Sequence, residues 1–299
     1  MPLSSRSVGA TGEWVSTPID ARWTMAYAAG LGETSPEYTD TAARPDVLAH
    51  PLFPVCFEWP VFLGVADLVE NEHLTPDERV CGVHFTHDLV LHQPIHAGQS
   101  LRTRARVVAV SRHHAGAYQV VEFETIDAAG LPVCTTWYGS LYRGIEVVGE
   151  DATTGDIPAE PVRIINPQVR RSVEVPVPAQ AAHIYSECAR IWNPIHTDTA
   201  VAARAGLPGI ILHGTATLAL AVSAIVDCEL DGDGPRVLGI AARFGAMVAM
   251  PSTLTVQILR TDSDSIRFEV LNDRGEPAIR NGSVAISSSS RSRVGGPDR

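Results

Sequence analysis

The stretch RIWNPIHTD, Arg190 to Asp198, sets a histidine directly after an Asn-Pro turn and just before a helical pattern. A residue that precedes proline is pushed out of the helical region, so Asn193-Pro194 presents His196 from a turn rather than from a helix face. Thr197 or Asp198 can cap the helix that starts near Thr199, and Asp198 reads as that cap before it reads as a catalyst. A second turn, LPGIILHG, ends at Gly214, at or near the first turn of an apolar helix. Unbonded N–H groups at such a terminus lie at the positive end of the helix dipole and can hold a carbonyl oxygen as it becomes anionic. A histidine beside them suits proton transfer next to a carbonyl or thioester. His213 reads first as a packed or hydrogen-bonded histidine and second as a base.

Other chemistries have less support. All 23 basic residues are arginine, which removes Schiff-base lysines and a P-loop lysine. His84, His87, His92 and His96 fall around one strand and its turn without the helical HxxxH spacing or nearby carboxylates, so no metal site is expected. His113-His114 sits at a hairpin tip and reads as solvated. Cys56, Cys81, Cys134, Cys188 and Cys228 are odd in number, widely spaced and lack a CxxC, which fits a reducing, cytoplasmic setting rather than disulfides or zinc. A net charge of −11 and no basic stripe disfavour nucleic acid. The charge-free run from Ala205 to Val226 is long enough to cross a bilayer, but Pro208, Gly209, His213 and Gly214 break its first half. The remainder reads as a core helix.

The elements that must position these residues fall into two similar halves. Each has helices first and then a run of antiparallel strands, which predicts an α+β fold in which a sheet wraps one long apolar helix. In the first half, Ile19 to Gly32 reads as a helix with a glycine stop, and FPVCFEWPVFLGVADLV as a buried helix interrupted near Pro60. Four strand-like runs follow, with Arg102, Arg104 and Arg106 alternating on one solvated face. In the second half a strand and helix lead into the His196 turn, a short helix, the apolar helix after Gly214 and four more strands. The expected divisions are a disordered tail at 1–12, a domain at 13–148, an acidic, proline-bearing linker at 149–167, a domain at 168–287 and a disordered tail at 288–299.

The segment YSECARIWNPIHTDTAVAARAGLPGIILHG, Tyr185 to Gly214, resembles the MaoC-like, or hydratase 2, family of (R)-specific enoyl-thioester hydratases and dehydratases. Asn193, Pro194, Ile195, His196 and Asp198 match its central motif, and Gly206, Pro208, His213 and Gly214 its downstream part. TMAYAAGLGE and HQPIHAGQSLRTRARV in the first half are similar to the family's N-terminal module, so the resemblance spans about residues 15–287. It implies a double hot-dog: two antiparallel sheets, each wrapped around a central helix, joined as a covalent pseudo-dimer. It also implies an acyl-CoA or acyl-carrier-protein thioester as substrate, with no cofactor. Carried over, His196 is an acid/base, Gly214 the oxyanion donor, and Asn193 shapes the turn or holds substrate or water.

One position departs from the pattern. The family's aspartate, two residues before the asparagine, is replaced by Ile191, and the preceding Ser-Gly by Ala189-Arg190. Isoleucine transfers no proton, and one member of an acid/base pair contributes about 10²–10⁴-fold in rate. Three outcomes stay open. Glu187 or Glu58 substitutes for the aspartate. His196 works alone on a substrate with a more acidic proton, in an isomerisation, elimination or cyclisation, with a thioesterase on the same scaffold as a further alternative. Or the domain binds acyl thioesters, or a partner subunit, without turnover. Arg190 and His213, with Ile191, are the candidate substrate contacts, Arg190 for an anionic group. A further homodimer stays open as well.

Overall fold

The structure is a computed structural model that describes residues 2–68, 74–75, 78, 82–159, 161–165 and 167–288. Its strands are β1 (Leu3–Ser4), β2 (Val15–Pro18), β3 (Gly82–Leu91), β4 (Ser100–His113), β5 (Gly116–Ile126), β6 (Pro132–Arg143), β7 (Val147–Val148), β8 (Ala152–Thr153), β9 (Arg171–Val177), β10 (Val237–Phe244), β11 (Ser252–Thr261), β12 (Ser265–Leu271) and β13 (Pro277–Ile286). The helices are α1 (Ala21–Gly30), α2 (Pro36–Thr39), α3 (Pro54–Leu68), α4 (Ala181–Ala189), α5 (Thr199–Arg204) and α6 (Gly214–Glu229).

The main sheet runs β2-β4-β5-β6-β3-β10-β13-β12-β11-β9. Taken from its outer edge inward, each half has the same order: first strand, third, fourth, fifth, second. The halves meet where β3 and β10 pair antiparallel, with Ala241 opposite Asp88 and Ala242 opposite His87. Equivalent strands paired antiparallel create a pseudo-twofold relation across that seam. Two edges that would otherwise stay unpaired thereby close into one continuous sheet.

Apolar residues of α3 and α6 fill the concave side. Phe53, Cys56, Phe57, Leu218, Ala219, Val222 and Ile225 belong to one buried cluster with inward residues of both half-sheets. Alternation of buried and half-buried positions along β11 and β12 is what a sheet with one covered face requires. Helix α3 continues through Pro60 instead of breaking there. Pro60 is exposed while Val55, Cys56, Phe57, Val61 and Val65 are buried, so tertiary packing of the apolar face overrides the local penalty.

Three further expectations change. The N-terminal stretch is docked rather than loose: Leu3 is fully buried and β1 pairs with β7. Within 149–167, β8 pairs with β4 and Asp151 bridges Arg112 at 2.8 Å, so the start of the linker is sheet. Two of the three alternating arginines of β4, Arg104 and Arg106, are ion-paired rather than merely solvated. Arg104 meets Glu124 and Arg106 meets Glu122, each at 2.7 Å across the β4–β5 ladder. The second tail lies, but for residue 288, outside the described residues, as does Cys81. No described helix is long and apolar enough to cross a membrane. Asp198 caps α5, accepting from the N–H groups of Ala200 and Val201 at 2.8 and 3.1 Å.

Candidate active site

The turn that carries His196 is a 3-10 turn, Pro194–His196, with proline at its first positions. Asn193 caps it, its side-chain oxygen accepting from the Ile195 N–H at 3.4 Å. This local geometry delivers the His196 ring to the end of α6. Nδ1 of His196 lies 2.8 Å from the Ile211 carbonyl oxygen. A carbonyl only accepts, so Nδ1 carries the proton and Nε2 keeps the lone pair. Burial lowers the His196 pKa, with the Ile211 carbonyl working the other way. The ring is therefore neutral near pH 7 and has one basic nitrogen available.

His196 stacks on His213, ring centroids 3.7 Å apart and 26° between planes. His213 is buried, and Nε2 is 3.1 Å from the Ser186 hydroxyl. Burial, then the nearby His196, drive its pKa down to about 2, opposed by the Ile191 backbone. It packs as a neutral ring, which is the first of its two sequence readings. Tyr185, 4.9 Å away between centroids, supports its other side. His213 is also the N-cap of α6, but its side chain makes no capping bond. The first-turn N–H groups, beginning at Gly214, thus lack a side-chain acceptor. A Cβ on Gly214 would stand 3.1 Å from the Phe244 ring, so glycine is what lets β10 approach the helix start so closely.

The structure brings His196, His213 and Gly214 together, with the Ile191 backbone against His213 and Asn193 at the turn, and commits Glu187, Glu58 and Arg190 elsewhere. Ile191 is buried in the main apolar cluster, its N–H bonded to the Ser186 carbonyl. Glu187 is exposed on the side of α4 opposite the buried Ser186 and Tyr185, so it does not replace the aspartate. Glu58 is buried beneath β6 and accepts from the Thr136 hydroxyl at 2.6 Å. Burial raises its pKa to about 8, with the Thr136 bond opposing, and its charge is felt by Cys56 and Cys134 rather than by His196. Both substitute carboxylates are corrected on these grounds. Arg190 caps α4 in the left-handed region, φ 58°, where the resembling family has glycine. Its guanidinium lies 4.0 Å over the Trp23 ring and 3.7 Å from Asp20, so it joins α1 to α4 instead of reaching His196.

Sequence reasoning missed Ser186, Ile211 and Phe244. Ser186 had a signal, since it lies one residue after the motif tyrosine on the buried face of α4. Ile211 acts through its backbone, which no side-chain pattern marks. Phe244 comes from β10, far along the chain.

Two hot-dog modules joined in one chain, with a histidine turn and a glycine helix start in the second, define the class as a double hot-dog. A MaoC like domain matches residues 162–280, and a FAS1-like dehydratase domain region matches residues 6–136. The second half is thus a MaoC-like dehydratase domain and the first a FAS1-like dehydratase region. It is 36% identical to the enoyl-CoA hydratase ChsH3 of Mycobacterium tuberculosis over 110 residues, 37% of this chain and 38% of that one. The match therefore spans well under half of that relative. A UPF0336 protein of Saccharopolyspora erythraea is 30% identical over 163 residues, 51% of this chain and all of the relative. The crystal structure of a MaoC-like dehydratase from Phytophthora capsici superposes with a TM-score of 0.80 at 21% identity, covering 96% of this chain and 98% of that one. That likeness supports the double hot-dog fold.

Proposed function

We propose that this protein is an acyl-thioester hydratase/dehydratase in which His196 alone performs the proton transfers. The observation that carries the reading is the fixed His196 tautomer beside the N-terminus of α6. In hydration, Nε2 takes a proton from water as the water oxygen attacks C3 of the enoyl thioester. Electron density moves to the thioester oxygen, which the Gly214 N–H receives. The imidazolium then returns its proton to C2. The reverse sequence removes C2–H and expels the C3 hydroxyl as water, with the same nitrogen taking one proton and giving it back. His213 and Ser186 hold the ring by stacking and hydrogen bonding, and Asn193 shapes the turn. The similarity to enoyl-CoA hydratases supports an acyl-CoA thioester as the substrate. The four described cysteines are all free, which supports a cytoplasmic setting.

The test is absorbance-followed hydration of a panel of enoyl-CoA esters, with product mass. Addition of water without release of CoA supports the reading. Free CoA identifies a thioesterase, and unchanged mass an isomerase or cyclase. Ile191 favours a second reading, in which the chain binds acyl thioesters without chemistry. Tight binding of CoA esters by calorimetry, with no turnover, supports that one.

A further inference from the structure

The loop ahead of α3 repeats a contact made by the loop ahead of α6. Leu212 donates its N–H to the Val248 carbonyl at 2.9 Å, and Ala49 donates to the Ile95 carbonyl at 2.8 Å. His213 and Gly214 follow Leu212, as His50 and Pro51 follow Ala49. Residues 48–51 are therefore the first half's counterpart of 211–214, and the chain leaving β3 is the counterpart of the chain leaving β10. Because β3 and β10 pair antiparallel, the two places lie at opposite ends of the seam. Leu238 and Phe244 stand six residues apart on β10, about 20 Å at the rise of a strand.

A cavity of about 250 Å³ stands at this second place, lined by residues 48–51, 91–95 and 233–238 together with Ser287. It opens to solvent, with the exposed His92 and Leu238 on its lining. Leu48, Leu91, Ile95 and Val237 give it apolar walls. His50 belongs to the wall and is already engaged. The Leu52 N–H donates to its Nδ1 at 3.0 Å, and Nε2–H meets the Ser223 hydroxyl at 3.2 Å. The lining has one arginine, Arg236, and one carboxylate, Asp233. Arg236 is half-buried, and its hydrogen bond from Nη2 to the Ser287 carbonyl is long at 3.4 Å. Its Nε is buried with no partner among the described residues. A guanidinium has five N–H donors, and one held at a cavity wall with so few engaged calls for an anion.

We infer that this cavity binds a small apolar monocarboxylate, with the carboxylate on Arg236 and the hydrocarbon against the walls from β3 and β10. An apolar cavity of about 150 Å³ admits benzene, so this one suits a body of roughly six to ten carbon atoms. The planar guanidinium presents parallel N–H groups that match the two oxygens of a carboxylate. Asp233 precedes the 3-10 turn Gly234–Arg236 and makes no side-chain capping bond there. Its negative charge on the same lining weighs against phosphate and other dianions, which narrows the ligand to a single charge. Pro51, in the place of Gly214, has no N–H for an oxyanion, so the inference is of binding and not of a second reaction. It is independent of the thioester reading above.

Calorimetric titration of the full chain with cyclohexanecarboxylate tests this. Cyclohexanecarboxamide serves as the neutral isostere, and acetate as the carboxylate without a body. Cyclohexanecarboxylate is expected to bind about tenfold or more tightly than either, roughly 1.4 kcal/mol. Arg236→Gln should shrink the preference for acid over amide to about twofold or less, while Arg236→Lys, which keeps the charge but not the fork, retains part of it. Leu238→Trp, which fills the mouth of the cavity, should weaken acid and amide alike. His196→Ala should leave both affinities unchanged, because the active site lies at the other end of the seam. No binding of cyclohexanecarboxylate to the wild type overturns the inference, as does equal affinity for the amide or for acetate. A preference that survives Arg236→Gln, an affinity untouched by Leu238→Trp, or one lost in His196→Ala also overturns it.

Discussion

The two halves of the molecule share a plan and differ at three positions that matter for chemistry. Tyr27 and Tyr185 occupy the same place in α1 and α4, and their hydroxyls meet at 3.4 Å. Counted from each tyrosine, Glu33 corresponds to Ile191, Pro36 to Pro194 and Tyr38 to His196. Both halves then have a histidine ahead of the long helix: His50 is followed by Pro51 and a turn before α3 opens at Pro54, whereas His213 directly precedes Gly214, the first residue of α6. The first half therefore keeps a carboxylate where the second has lost one, and keeps a tyrosine where the second has its turn histidine. Glu33 is not idle: it lies 3.9 Å from His50, which also meets Ser223 at 3.2 Å. Burial raises the Glu33 pKa, opposed by the Ser223 bond and aided by Asp227. The start of the first half's long helix differs as well: Pro51 and Pro54 have no N–H to offer an oxyanion, and the acid and imidazole meet Ser223 of α6 instead. The retained carboxylate alone does not make a site; the helix start must be open as well.

The comparison can be broken most directly at His196. His196→Ala should lower kcat/KM by about 10²–10⁴-fold, because no neighbouring group can take over the proton, while Tm stays near the wild-type value. Gly214→Pro imports the first half's feature into the second. Proline is tolerated at a first helical position, so the helix should persist, yet removal of the N–H should reduce kcat by about 10²–10³-fold. The Phe244 ring must shift to admit the new ring, which a modest fall in Tm will report. Ile191→Asp restores the family's carboxylate. A rise of about tenfold in kcat is expected, with a lower Tm because a buried apolar position receives a carboxyl. An unchanged or lower kcat in a folded variant would argue that the site has been rebuilt around a single base.

Smaller effects sharpen the same contrast. Glu33→Gln should leave turnover unchanged, measured against the same enoyl-CoA panel. The pH dependence of Tm follows from the buried groups. His50, His87 and His213 have folded pKa values lowered by burial to about 3, 4 and 2, against 6.5 unperturbed. The unfolded chain binds more protons than the folded one below 6.5, so stability falls as pH drops through that range. Glu58 has the opposite sign. Its folded pKa is raised from 4.5 to about 8, so its neutral form favours the fold and stability falls as pH rises through that window. The three histidines outweigh it between 4.5 and 6.5, which places maximum Tm near about pH 6.5. Glu58→Gln should flatten the alkaline side and steepen the rise between pH 4.5 and 6.5, as thermal melts at pH 5, 6, 7 and 8 will reveal.

Much of this was legible along the chain. The strand runs of both halves, the two long apolar helices and the turn at Asn193-Pro194 follow from period, apolar content and proline, all local properties. The resemblance carried His196 and Gly214, and the structure places them at one helix start. Less legible was the fate of the carboxylates. Glu187 is near in sequence but turns outward on α4, and Glu58 is inside yet bonded to Thr136. A helix face depends on what the helix packs against, which a single segment does not reveal. The docked N-terminus escaped notice for the same reason: Leu3 has its partner in β7, across the whole first half.

Local chemistry, then, settled the residue types, the turn that displays His196 and the replacement of an acid by Ile191. Covalent spacing and backbone preference suffice for these, since they act over a few residues. Tertiary structure alone decided which nitrogen of His196 is free, that His213 is neutral and that Arg190 is committed to Trp23. It also left both ring nitrogens of His87 without a hydrogen-bond partner among the described residues. Each of these depends on burial and on partners brought from distant segments, and burial is a property of the packed whole rather than of any stretch of it.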